Sequence, residues 1–268
     1  MRIAVIGCGQ IGEALIRGML AAQFTSREEV IASSRTESRS NDLKQSLGIK
    51  ATTDNHLALD GAAIVVITLK PSMVGPILSS VGTKIAKDAL VISVAAGVST
   101  SDIEACVGRI SVVRAMPNLP VIIRQGITCL ARGRHASSEQ LQLASDLFSS
   151  VGRVMVVQEQ HMDAVTGLSG SGPAFVFMVI ESMAEGGVNV GLPRAVALEL
   201  AAQTTAGAGA MVVQTGEHPA KLKDEVTTPA GCTVDGIMQL EEGGLRVALI
   251  KAVSRAAVRA KGLAGRES

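Results

Sequence analysis

Along roughly the first 157 residues, short apolar runs alternate with stretches of helical periodicity. "RIAVIG", "VIAS", "AAIVVITL", "ALVISVAAG", "ISVVRA" and "GITCLA" are brief, rich in Val and Ile, and closed by turn residues. Continuous apolar runs of this kind suit strands buried on both faces. Their alternation with helices predicts a parallel-type sheet covered by helices. Helices are expected at Gly9–Ala22, Met73–Ile85 and Ser137–Ser149, the last opened by the serine cap pattern "SSEQ". After about Glu159 the strand signals stop. Pro173–Val190, Pro193–Thr215, Thr233–Glu242 and Gly244–Gly262 then read as helices, with Pro173 and Pro193 in the first turn, where proline is tolerated. The pattern predicts an α/β domain over residues 1–160 followed by an all-α domain over 161–268, the boundary falling near 158–162. Helices this rich in Ala and Gly pack closely, and some of their faces are expected to bury against a second chain.

Composition narrows the function. The chain has 268 residues, 47% of them apolar, with 25 basic against 24 acidic side chains, so it is a packed globular protein with no bias toward nucleic acid or membrane surfaces. Four Phe and no Trp or Tyr leave no stacking platform for single-stranded nucleic acid. Cys8, Cys106, Cys129 and Cys232 show neither CxxC nor zinc-finger spacing and read as small buried thiols in a reducing compartment; no metal site is expected. Glycines interrupt "MRIAVIGCGQIG" where a signal peptide would stay apolar, and no uninterrupted apolar run approaches the ~18 residues of a membrane span. A cytoplasmic protein with neither nucleic-acid nor membrane partners is expected.

Chemistry enters at the N-terminus. "RIAVIGCGQIGEAL" carries Gly7, Gly9 and Gly12 in GxGxxG spacing, straight after a strand and opening a helix. The glycines serve a tight turn, close approach of backbone to a pyrophosphate, and helix–strand packing, while the helix N-terminus offers N–H groups to the phosphates. This is the cofactor loop of a Rossmann domain. The second strand ends "ASSRTES", placing Ser33, Ser34 and Arg35 where an NAD protein carries an acid for the ribose diol. Hydroxyls and a guanidinium suit a 2′-phosphate, which favours NADPH, with NADH still possible. Thr68, Leu69, Lys70 and Pro71 close one strand and Ala95, Ala96 and Gly97 another, where ligands of open parallel sheets lie. Lys70 reads equally as an acid catalyst or as a solvated lysine. Near the other end, "TTPAGCTVDG" interrupts a helical region with small residues and hydroxyls. Such a turn before a helix exposes successive N–H groups to a carboxylate, and Thr233 could cap the helix while facing a ligand.

Together with "GCGQIGEAL", "LKP", "SVAAGV", "RAMPNLP", "GLSGSGPAFVF" and "HP", the stretch "DEVTTPAGCTVDGIMQLEEGGLRVALIKAV" closely resembles pyrroline-5-carboxylate reductases, and the resemblance runs end to end. It implies a Rossmann domain, a helical dimerisation domain intertwined with a second subunit, and NAD(P)H-dependent reduction of 1-pyrroline-5-carboxylate to L-proline, the last step of proline biosynthesis. By position it implies cofactor contacts from Gly7, Cys8, Gly9, Gln10, Ile11 and Gly12, from Ser34 and Arg35 at the 2′-phosphate, and from Asn55 at the adenosine. On the nicotinamide side it implies Thr68 to Pro71 and Ala95 to Gly97. It further implies that Thr228 and the backbone of Gly231, Cys232 and Thr233 hold the substrate, with the Thr233 hydroxyl facing the ring nitrogen as the catalytic group. Ala230 stands where many relatives have Gly, and Gly216 where some have an acid.

Reduction of a protonated imine needs little beyond orientation. That accords with the scatter of His56, His135, His161 and His218, and with "SGSGP" at Ser169–Pro173 lacking a nucleophile elbow. Two rival readings remain. A related imine or hydroxyacid reductase of the same architecture would, in its hydroxyacid form, need a lysine on a helix of the second domain in a glycine-rich context, and Lys221, Lys223, Lys251 and Lys261 are not so placed. A non-catalytic NADP-sensing protein would have no use for a carboxylate-binding turn.

Overall fold

The computed structural model describes residues 1–229 and 231–263; residues 230 and 264–268 lie outside it. Four apolar runs become fully buried strands: β1 (Ile3–Ile6), β2 (Val30–Ser33), β4 (Ile64–Ile67) and β5 (Leu90–Ser93). β3 (Lys50–Thr52), β6 (Ser111–Met116), β7 (Gly126–Arg132) and β8 (Gly152–Val156) complete one sheet in the order β3-β2-β1-β4-β5-β6-β7-β8. β1 to β6 run parallel; β7 reverses against β6, and β8 runs parallel to β7.

Two strands were not anticipated from sequence, and their composition explains why. β3 is three residues long with one buried side chain, and β8 is an edge strand exposing Arg153, Met155 and Val156. Neither has the continuous apolar run of a strand covered on both faces.

Helices cover both faces. α1 (Gln10–Ala21), α2 (Glu37–Leu47) and α6 (Ser138–Ser149) pack over one layer through Leu15, Leu43 and Phe148. α3 (Asn55–Leu59), α4 (Pro71–Val81) and α5 (Thr100–Val107) cover the other through Leu59, Leu78 and Ile103. The expected serine cap is present: the Ser137 and Gln140 side chains satisfy each other's backbone N–H groups. Beyond β8, the chain forms a short helix α7 (Met162–Val165) and one π-turn (Thr166–Gly170).

By compactness the chain divides into residues 1–171 together with the stretch from 254, and residues 172–253. The strands end at Val156, but the segment up to Gly170 stays with the sheet. Met162 buries against Cys129 and Ala131 of β7, and Glu159 and Asp163 pair with Arg114 of β6.

The second unit contains α8 (Gly172–Asn189), α9 (Arg194–Thr215), α10 (Pro219–Val226), α11 (Cys232–Glu242) and the start of α12 (Leu245–Lys261). Pro193 is the cap residue of α9 and not in its first turn, with ψ 138 keeping it outside the helix. α8 and α9 meet through Ala184, Ala197 and Ala201. Their approach is close enough that a Cβ on Gly187 would lie 3.0 Å from that of Ala197. Much of the remaining surface is apolar, including Phe177, Met178, Leu198, Leu200, Met211 and Val213.

The segment ending in α8, and α9 itself, are each long and apolar enough to cross a membrane by length and composition. Neither is an uninterrupted apolar run: Gly, Ser, Thr and isolated charges such as Glu181 and Glu199 break the runs while the average stays high.

Candidate functional site

Strand order reverses between β1 and β4, and in doubly wound sheets the crevice at that reversal is where ligands sit, outside the carboxyl ends of the strands. The loops leaving these two strands are Gly7–Gly9 and Thr68–Lys70. They are tied together: the Thr68 hydroxyl lies 3.1 Å from both the Ile6 and Gly7 carbonyls, and Cys8 N–H donates to Ser33 O at 2.7 Å.

The glycine spacing has a steric reason at two positions. Gly7 has φ +79, and a Cβ there would strike Leu69 Cδ2 at 2.3 Å. Gly12 packs α1 onto the strands, its missing Cβ site lying 2.9 Å from Thr68 Oγ1 and 3.2 Å from both Cys8 Sγ and Val5 Cγ1. Gly9, at the N-cap of α1, has nothing nearer than 4.0 Å, and no side chain caps the helix. An open space over an uncapped helix N-terminus fits a pyrophosphate. Burial pushes the Cys8 thiol up to about 12, with Arg39 opposing weakly, so Cys8 is a neutral wall of the loop.

At the end of β2, Arg35 is exposed while Ser34 is 7% exposed, its hydroxyl 3.0 Å from Thr36 O and 2.8 Å from Ser40 Oγ. The Ser34 side chain therefore shapes the turn, and Arg35 is the cation presented to solvent. Thr36 caps α2 by accepting from Arg39 N–H.

Arg39 was not singled out from sequence. Its guanidinium donates to Cys8 O and Gly9 O at 3.3 Å each and to Glu13 Oε2 at 2.6 Å, while Arg17 holds the other Glu13 oxygen at 2.6 Å. Partial burial pushes the Glu13 carboxyl up. Hydrogen bonds from Arg17 and Arg39 outweigh that and leave it below the ordinary carboxylate value. The available signal was Glu13 and Arg17 at helical spacing on α1, with a further arginine in the first turn of α2.

The remaining cofactor candidates lie at strand ends or helix starts. Asn55 is the first residue of α3, capped by Asp54, and Lys70 is the exposed cap residue of α4 with Pro71 following. Ala95 is buried and Ala96 half-buried in the turn after β5.

The 227–236 stretch belongs to the second unit. Its expected N–H turn begins at Ala230, outside the described residues. The cap of α11 is Gly231, not Thr233, and no side chain caps this helix. Thr233 is instead its second residue, because Gly231 already has the extended geometry of an N-cap, φ −83 and ψ 154. Thr228 folds over Gly231 so closely that a Cβ there would meet Thr228 Oγ1. Cys232 is exposed in this chain, unlike the buried thiol expected from composition, because it opens a helix on the surface. Thr233 is half-buried.

A glycine loop at the switch point of a doubly wound sheet, with a phosphate-competent helix start, defines a dinucleotide-binding protein of the Rossmann class. Residues 159–263 match the family described as pyrroline-5-carboxylate reductase dimerisation, and residues 2–97 the family described as NADP oxidoreductase, coenzyme F420-dependent. The pyrroline-5-carboxylate reductase of Methanosarcina acetivorans is 45% identical over 98% of this chain and 97% of its own, and that of Corynebacterium melassecola 41% identical over 97% and 98%. The chain belongs to the pyrroline-5-carboxylate reductase family. Among solved structures, the Coxiella burnetii enzyme superposes with TM-score 0.90 at 33% identity, covering 98% of each chain. The Plasmodium falciparum pyrroline carboxylate reductase with NADP bound reaches 0.90 at 26% identity, covering 99% of this chain and 98% of its own.

Proposed function

We propose that this protein reduces 1-pyrroline-5-carboxylate to L-proline with NADPH, as a cytoplasmic homodimer or larger homo-oligomer. The observation that carries the reading is the 45% identity to a named pyrroline-5-carboxylate reductase across 98% of the chain, spanning both the glycine loop and the 227–236 stretch.

We assign NADP binding to residues 1–160, with Gly7–Gly12 on the pyrophosphate, Arg35 at the 2′-phosphate on the turn that Ser34 shapes, Asn55 at the adenosine, and Thr68–Pro71 and Ala95–Gly97 on the nicotinamide side. Residues 161–268 serve dimerisation and substrate binding. The exposed apolar faces of α8 and α9 support this, since a second copy would cover them.

Bound NADPH supplies a hydride to the imine carbon. The side-chain-uncapped start of α11 supports a carboxylate site at Gly231–Thr233, with Thr228 beside it. The Thr233 hydroxyl accepts from the protonated ring nitrogen, holding its proton in place while the carbon is reduced. Water exclusion and orientation supply most of what remains, up to ~7–11 kcal/mol in the best cases.

The test is NADPH oxidation with pyrroline-5-carboxylate, run beside pyrroline-2-carboxylate and an NADH control. Turnover of the 5-carboxylate with NADPH preferred is expected. No turnover of any cyclic imine would return the protein to a sensing role.

A further inference from the structure

Two motifs of this chain meet in space with no task yet assigned to their meeting: "RAMPNLP" and "GLSGSGP". β6 carries Arg114 and Met116 two residues apart, hence on one face of the sheet. That face is apolar at Val112, which packs into the layer containing Ile103 of α5. At Arg114 it holds a cation only 5% exposed. The guanidinium lies 3.2 Å from Asp163 Oδ1 and 3.7 Å from Glu159 Oε1.

Glu159 reaches further. Its carboxylate accepts from Thr100 N–H at 2.6 Å and from the Thr100 hydroxyl at 2.5 Å, at the first residue of α5. α5 begins just after the Ala95–Gly97 turn. Two residues along the same face, the Met116 methyl sits where a Cβ on Gly170 would be, at 2.7 Å. Gly170 ends the π-turn, which is closed by Ser171 N–H donating to Thr166 O at 2.9 Å and by Thr166 and Ser169 hydroxyls donating back to Met162 O and Val165 O. Met116 is the last residue of β6, so the turn stands at the carboxyl edge of the parallel strands.

A buried ion pair is a poor device for stability alone, since an apolar side chain of similar size often does as well. Its use is to specify one arrangement. A planar guanidinium can engage two carboxylates at fixed angles, which an ammonium cannot. π-turns also concentrate at functional positions.

We propose that Arg114 is a positioning residue of the reductase site. Through Glu159 it fixes the start of α5 and the Ala95–Gly97 turn before it, and through Asp163 and the neighbouring Met116 contact it fixes the π-turn. It thereby sets the nicotinamide-side edge of the cleft. The inference rests on the assignment of Ala95–Gly97 to the nicotinamide side.

The test compares Arg114→Lys and Glu159→Gln with wild type in kcat, in KM for both substrates, in NADPH affinity from cofactor fluorescence, and in melting midpoint. Glu159→Gln keeps an oxygen for Thr100 N–H while removing the charge, so it decides the matter if Arg114→Lys does not fold. Expected is a fall in kcat of about tenfold, within the range a displacement of about 1 Å can cause. NADPH affinity should stay unchanged, and the isotope effect with deuterated NADPH should rise. Folded variants with wild-type kcat, or a kcat that falls only with the folded fraction, would overturn the proposal and leave a structural ion pair. A wild-type protein inactive on pyrroline-5-carboxylate removes the proposed function together with this inference; an active wild type with unaffected variants removes the inference alone.

Discussion

Replacing Thr233 by Ala separates two roles that one side chain could play. Had Thr233 capped α11, the change would cost ~1 kcal/mol of stability. The cap position is held by Gly231, and no side-chain cap bond exists to lose. Within a helix, Thr→Ala gains up to ~0.7 kcal/mol in propensity. The melting midpoint should therefore hold or rise slightly. The catalytic loss is set by a hydrogen bond to a charged nitrogen, worth ~1.5–3 kcal/mol. At 1.4 kcal/mol per tenfold, that is a fall of roughly 10- to 150-fold in kcat/KM for pyrroline-5-carboxylate. Steady-state NADPH oxidation measures the loss, and far-UV circular dichroism measures the melt, since the chain has no Trp or Tyr for fluorescence. Cofactor fluorescence should report unchanged NADPH affinity. Wild-type kcat/KM in folded Thr233→Ala would refute the role of the hydroxyl. A lower melting midpoint would refute the account of the cap.

Arg35→Ala should raise KM for NADPH by roughly 10-fold or more while leaving KM for NADH nearly unchanged, the loss of one charge-assisted contact; equal effects on both cofactors would remove Arg35 from the 2′-phosphate. Gly12→Ala forces a methyl to 2.9 Å from Thr68 Oγ1, and overpacking should cost ~1–3 kcal/mol of stability, read as a lower melting midpoint; an unaltered midpoint would mean the loop relaxes freely. Glu13 has a lowered folded value, so its contribution is present above its unfolded value of ~4.3 and is lost as pH falls through the folded one. The melting gap between wild type and Glu13→Gln should be open at neutral pH and close as pH falls below the ordinary carboxylate range; a gap constant with pH would show that the charge of Glu13 contributes nothing.

Sequence pattern located the parts of this fold that rest on strong local rules. Buried runs such as "IVVI" and the strand–glycine–helix start at Gly7–Gly12 admit few alternatives, and both stand where the pattern puts them. What stayed hidden depends on partners distant in sequence. Arg39 reads as an ordinary charge in the first turn of α2 until its contacts with Cys8 O and Gly9 O are seen. Arg114 sits in an apolar strand whose pairing carboxylates lie more than 40 residues on. β8 has an edge strand's mixed composition, and the cap of α11 turned on the backbone angles of Gly231, which side-chain identity alone does not fix.

The Glu159 carboxylate on Thr100 also links stretches of the chain that are made far apart in time. Its partner precedes it by 59 residues, so on the ribosome Arg114 emerges and can be enclosed by β5, β6 and α5 well before either of its counter-charges exists. A buried cation without its partner costs ~3–5 kcal/mol, a large fraction of the stability of a nascent domain. Enclosing Arg114 is therefore favourable only for a chain that already includes Glu159 and Asp163, so a truncation ending before them should carry that cost.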